Sequence, residues 1–224
     1  MHYGEGTMKS IDIQRKDGTK IQNEFQSNNS GILGILFSGF SYTYKNPLLY
    51  YSRNILFDNS FDYLGIDYQY YCSDYFGKLD EEEQDAFFDE DNRLIARKIV
   101  EISENYKKLI LIGKSMGTTA INHCINNDKI RNKAIIVYIT PWKDWERIIN
   151  EIKNTENKIL IISSFQDKYY NVKNLKETRN KSNIELYELK EGNHSLETGD
   201  TIKNIEQLKE IMIVIKAFIE NNSK

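Results

Sequence analysis

Ser115 sits between Gly113 and Gly117 in the run Gly-Lys-Ser-Met-Gly. A serine hydroxyl is a weak nucleophile at neutral pH and needs a base beside it. It also needs a backbone that lifts it clear of the fold. Leu109-Ile110-Leu111-Ile112, just before Gly113, is a short apolar run of the kind that forms a buried parallel strand. Thr118-Thr119-Ala120-Ile121 continues as helix. A strand that becomes a helix within five residues turns sharply, and the turn strains the backbone at Ser115. Small residues two before and two after it let strand and helix approach. The helix start offers backbone N–H groups beside the hydroxyl.

On this stretch the chain resembles the α/β-hydrolase superfamily. Within it, the chain is most similar to small single-domain serine hydrolases of the dienelactone-hydrolase type, some of which carry Gly-Lys-Ser-Met-Gly elbows. The resemblance implies an acid and a histidine further on, each just after a strand, in the order Ser, Asp, His. The chain has three histidines. His2 lies at the start. His123 lies inside the helix after the elbow, two turns past Ser115, and points away along it. His194 follows the last predicted strand in Gly-Asn-His-Ser, on the edge where strand C-termini gather. His194 is therefore the expected base. Asp167 follows the strand Lys158–Ser163 on the same edge and is the favoured acid. Asp144, one strand earlier, is the alternative, because some members of the superfamily place the acid there. Asp167 also has a plainer reading, as the N-cap of the next helix.

The family resemblance further implies two N–H donors for a developing oxyanion. Met116, next after the nucleophile, supplies one. The other comes from the loop after the strand Ile32–Phe37, which by position is Phe40. Relatives often read His-Gly-x there, whereas this chain reads Ser38-Gly39-Phe40. The donor belongs to the backbone, so the lost His does not remove it. A Ser at the elbow, where dehalogenases and epoxide hydrolases of this fold carry Asp, fits acyl transfer. Dienelactone hydrolases carry Cys there, so their substrate is not implied. Tyr42, Tyr44, Tyr68, Tyr70, Tyr71, Trp142 and Tyr169 crowd the predicted edge, and Tyr42, Tyr71, Trp142 and Tyr169 are the candidates for a pocket. Lys114 is read as solvated or paired with an acid, without a catalytic role.

The elements that would position these residues alternate from residue 32 onward. Strands are predicted at Ile32–Phe37, Phe61–Tyr68, the elbow run, Ala134–Ile139, Lys158–Ser163 and Ile184–Leu189. Helices are predicted at Pro47–Phe57, Ala86–Tyr106, Met116–Asn126, Trp145–Ile152, Val172–Arg179 and Thr201–Ile219. Met8–Arg15 and Lys20–Phe25 read as a hairpin around Lys16-Asp17-Gly18. Gln69–Asp85 reads as a loop whose acidic run Asp80–Glu83 lies near a positive helix end. The sum is an α/β fold, a three-layer α/β/α sandwich around a doubly wound, mostly parallel sheet of eight strands. The segment after Ala134–Ile139 holds one helix, so no large cap is expected.

With 224 residues and two prolines, one domain is expected over 1–224, with 1–7 flexible and Met8 an alternative start. A net charge of −3 with no basic block argues against a nucleic-acid partner. No leader pattern and no apolar run of membrane-spanning length is present, so a cytoplasmic protein without membrane contact is expected. Cys72 and Cys124 show no zinc-ligand spacing. The expected function is hydrolysis of an ester or thioester of a small acyl substrate, with no cofactor or metal. An acyltransferase on the same triad and a non-catalytic binding protein that kept the fold are the alternatives. The oligomeric state is not legible.

Overall fold

The protein is described by a computed structural model covering residues 8–142, 145–179 and 181–223. The start at 1–7, with His2, and the alternative acid Asp144 lie outside the described residues. The strands are β1 (Gln22–Gln26), β2 (Ile32–Phe37), β3 (Asp62–Asp67), β4 (Lys108–Lys114), β5 (Ala134–Ile139), β6 (Ile159–Ser164) and β7 (Ile184–Leu189). They form one sheet in the order β1-β3-β2-β4-β5-β6-β7. Only β1 runs antiparallel, against β3. The helices are α1 (Pro47–Asp58), α2 (Glu81–Ser103), α3 (Gly117–Ile125), α4 (Asp128–Arg131), α5 (Trp145–Lys153), α6 (Val172–Thr178) and α7 (Thr201–Asn222).

Strand alternation sorts the core into two halves. Leu109 and Leu111 of β4 point into one half with Phe88, Ile95 and Ile99 of α2, Ile121 of α3 and Ile148 of α5. Ile110 and Ile112 point into the other, against Leu49 of α1 and Ile211, Ile215 and Phe218 of α7. The three-layer α/β/α sandwich is therefore as expected. The apolar runs of β2, β4 and β5 are buried along nearly their whole length, as central parallel strands require.

Among the described residues the sheet has seven strands, where eight were expected. The first arm of the predicted hairpin makes only isolated bridges, Lys9 with Phe25 and Gln14 with Lys20. The reason lies in Asn23. Its side-chain amide accepts from the Ile11 N–H at 2.7 Å and donates to the Ile11 carbonyl at 2.8 Å. A side chain thus takes the place of a backbone rung. The arm is held instead by Arg15, whose guanidinium grips Asp91 of α2 through two bonds of 2.8 and 2.7 Å.

α2 also begins earlier than predicted, at Glu81 rather than Ala86. Asp80 caps the Glu83 N–H and Glu83 bonds back to the Asp80 N–H, a complete capping box. Glu81, Glu82 and Glu83 then fill the first turn, where the helix dipole favours negative charge. No helix among the described residues is long and apolar enough to cross a membrane.

Candidate active site

The C-terminal end of β4 runs into α3 through Ser115, which adopts a positive φ of 55°. For a non-glycine residue that conformation costs energy and persists only where the surroundings impose it. Here the flanking glycines impose it. A Cβ on Gly113 would lie 2.5 Å from the Gly117 carbonyl oxygen, and a Cβ on Gly117 would lie 2.3 Å from the Phe37 oxygen. Strand, turn and helix are therefore closer than any side chain allows. The Ser115 N–H is tied to the Ile139 carbonyl of β5 at 2.9 Å.

Ser115, His194 and Asp167 meet at the end of the sheet. His194 Nε2 lies 2.7 Å from Ser115 Oγ, and Nδ1 lies 2.8 and 3.0 Å from the two Asp167 oxygens. A carboxylate only accepts, so Nδ1 carries the hydrogen and Nε2 is left to accept from the hydroxyl. The Asp167 side chain is 1% exposed and that of His194 24%. Asp167 also accepts from the Tyr169 N–H at 3.0 Å, which fixes its turn. It is not the N-cap of α6, which begins five positions on at Val172. The His194 loop is braced from within. Gly192 has a φ of 132°, and Asn193 Oδ1 accepts from the Ser195 N–H at 2.8 Å.

The other predicted residues fall in several places. Met116 is buried, and Phe40 is half exposed at the tip of a turn closed by a bond from the Gly39 N–H to the Tyr42 carbonyl at 2.8 Å. Tyr42 is itself fixed, its hydroxyl accepting from the Leu48 N–H at 3.0 Å. This turn sets the loop where relatives carry a His. Among the described residues, neither the Phe40 nor the Met116 N–H donates to another protein group. Burial pushes the Tyr42 phenol up to about 12.

A cleft of about 440 Å³ opens over Ser115 and His194. Of the expected pocket residues, Tyr42, Trp142 and Tyr169 line it, and Tyr169 packs edge-on against the His194 ring at 4.9 Å. The Tyr169 phenol is held below its ordinary value, chiefly by a hydrogen bond from Trp142. Tyr71 does not line the cleft; it is 49% exposed. A short 3-10 turn over Tyr70–Cys72 sends Tyr70 inward, stacked on Phe76 at 4.1 Å, and Tyr71 out. Tyr68 and Tyr70 are core residues bonded to Asn92 and Asp91 of α2. Tyr44 is buried in the core half covered by α1 and α7. Phe76, Phe88 and Lys168 line the cleft unpredicted, because no motif marks a wall built from a loop and a helix distant in sequence.

Two expectations about charged residues divide. His123 stays away from the site, 3.0 Å from Asp89 of α2. Lys114, read as solvated or acid-paired, is neither: it is 1% exposed and forms no salt bridge among the described residues. Cys72 and Cys124 are both free thiols, Cys72 exposed and Cys124 buried. No cluster of three His, Cys, Asp or Glu that could hold a metal ion occurs among the described residues.

A family model of the alpha/beta hydrolase domain matches residues 49–220. The chain belongs to the alpha/beta hydrolase family. Solved structures share its fold across nearly the whole length. An esterase of Pyrococcus furiosus aligns at 13% identity with a TM-score of 0.67, over 98% of this chain and 92% of that one. A serine hydrolase without lid from Xanthomonas campestris aligns at 10% identity with a TM-score of 0.66, over 96% and 94%. Est1E of Butyrivibrio proteoclasticus, solved with ferulic acid bound, aligns at 14% identity with a TM-score of 0.65, over 95% and 99%. No curated protein matches the sequence. Among the described residues, no cap domain covers the sheet edge of this hydrolase.

Proposed function

We propose that the protein is a serine hydrolase that cleaves carboxylic esters or thioesters of small substrates through an acyl-enzyme. The observation that carries the reading is the unbroken line Ser115 Oγ, His194 Nε2, His194 Nδ1, Asp167 Oδ2, with steps of 2.7 and 2.8 Å, opening into a cleft. Ser115 Oγ attacks the acyl carbon while His194 takes its proton. Asp167 holds the imidazole in the right tautomer and steadies its cationic form. The unengaged N–H groups of Phe40 and Met116 receive the oxyanion of the tetrahedral intermediate. His194 then returns the proton to the leaving oxygen or sulfur. Water, deprotonated by the same ring, attacks the acyl-enzyme, and collapse of the second intermediate frees the acid and Ser115.

The cleft volume of about 440 Å³ suits a small acyl group. Phe40, Phe76, Phe88 and Met116 give it an apolar wall. The esterases among similar structures support an ester over an amide. The test is a series of chromogenic esters and thioesters of increasing acyl length, assayed with wild type and Ser115→Ala. Turnover by wild type that disappears in the variant supports the reading. Product that forms only with an added alcohol or amine acceptor would replace it with a transferase. No turnover and no acyl-enzyme across the series would leave a binding protein.

A further inference from the structure

Lys114 ends β4 immediately before the nucleophile. Alternation places it in the row of Ile110 and Ile112, on the face covered by α1 and α7. An ammonium taken out of water ordinarily needs a carboxylate partner. Lys114 instead has the His194 carbonyl, to which Nζ donates at 2.8 Å, and the face of the Tyr42 ring, centred 5.2 Å away. An apolar side chain continuing the row would fill this place at less cost. The costly residue touches the backbone of the base itself, and it touches it from the residue next to the nucleophile.

We propose that Lys114 is a positioning residue: its buried ammonium ties the His194 backbone to the elbow strand and so holds the imidazole in line between Ser115 and Asp167. The tie is a charge-assisted hydrogen bond, roughly twice as strong as one from a neutral amine. Its strength therefore follows the charge on Nζ. Three groups face that charge from the elements packed around it. They are Asp167 from the loop after β6, Glu197 from the His194 loop, and the Tyr42 ring from the loop after β2. Burial outweighs the two carboxylates and brings the ammonium down to about 7. The tie thus weakens as pH rises through neutrality.

The inference rests on the hydrolase reading, and the experiment separates the two. Wild type and Lys114→Met are assayed with a chromogenic acetyl ester from about pH 6 to about pH 9, with thermal melts alongside. Wild-type kcat should fall on the alkaline side of the profile as Lys114 loses its proton. Lys114→Met should keep KM, lose about tenfold or more in kcat, and lose the alkaline fall. It should also melt higher than wild type, because a buried charge is gone; a purely structural lysine would show the reverse. Wild-type kcat with a wild-type pH profile in the variant overturns the proposal.

A second arm needs no variant. Amide hydrogen exchange at residues 193–197 of the wild type, corrected for its intrinsic pH dependence, should show protection falling as pH rises through about 7. Constant protection overturns the proposal, and this arm decides alone if Lys114→Met does not fold. A wild type without turnover defeats the hydrolase reading, while the exchange arm still judges the tie.

Discussion

Asp167 shows how much one buried carboxylate can decide. It is almost fully enclosed, and both of its oxygens face His194 Nδ1. Replacing it by Asn keeps the shape but allows the amide to donate, which favours the wrong imidazole tautomer. Asp167→Asn should lower kcat by about 10³- to 10⁴-fold with KM little changed, read by steady-state kinetics. That Ser115, Asp167 and His194 would meet at one edge of the sheet was legible from the sequence. Their types are few, the chain holds only three histidines, and each follows a recognisable strand. Lys114 was not legible. A lysine beside a surface turn reads as solvated, and nothing in the sequence says that the His194 loop closes over it. Tyr71 failed for a related reason: within a tyrosine-rich loop, a single 3-10 turn decides which rings face in.

Secondary-structure elements set the positions of these side chains through close approach. Gly117 starts α3 where a Cβ would meet the Phe37 oxygen of β2 at 2.3 Å. Gly117→Ala must push helix from strand and should cost about 1–3 kcal/mol, read as a lower denaturation midpoint, with activity falling as Ser115 shifts. The N-terminal arm depends on a different device. Asp91 of α2 is buried and accepts from Arg15 and Tyr70. Asp91→Ala strands the Arg15 charge and should cost about 3 kcal/mol, measured by chemical denaturation. The parallel strands from residue 32 onward were predicted within a residue or two because most of them are buried apolar runs. The arm before them was misread because an amide side chain, Asn23, replaces a backbone rung, and periodicity does not register that exchange. The start of α2 was misread because an acidic run looks like loop until its capping box is recognised.

Across the whole molecule, burial of titratable groups gives stability a definite pH dependence. Lys114 sits near 7 in the folded chain against an ordinary 10.5. Between those values the unfolded chain binds a proton that the folded chain has released, so stability rises with pH there. His123, also lowered by burial, adds a rise of the same sign below its ordinary 6.5. Tyr63, Tyr68, Tyr70 and Tyr138 are raised by burial. Their contribution is intact below the unfolded tyrosine value of about 10 and is lost above it. The urea midpoint should therefore climb from neutral pH, peak short of pH ~10 and fall beyond. Lys114→Met should flatten the climb above pH 7 and leave the fall. The three-layer sandwich, with helices on both faces of the sheet, followed from the alternation of elements; the strand order itself comes from the structure. Which distant segments wall the cleft did not follow, because that depends on how loops fold over the sheet edge. The central claim is that Ser115 is an activated nucleophile, and intact-mass labelling with a fluorophosphonate probe tests it most directly. One adduct on wild type and none on Ser115→Ala is the predicted result. Folded wild type that stays unlabelled would contradict the account.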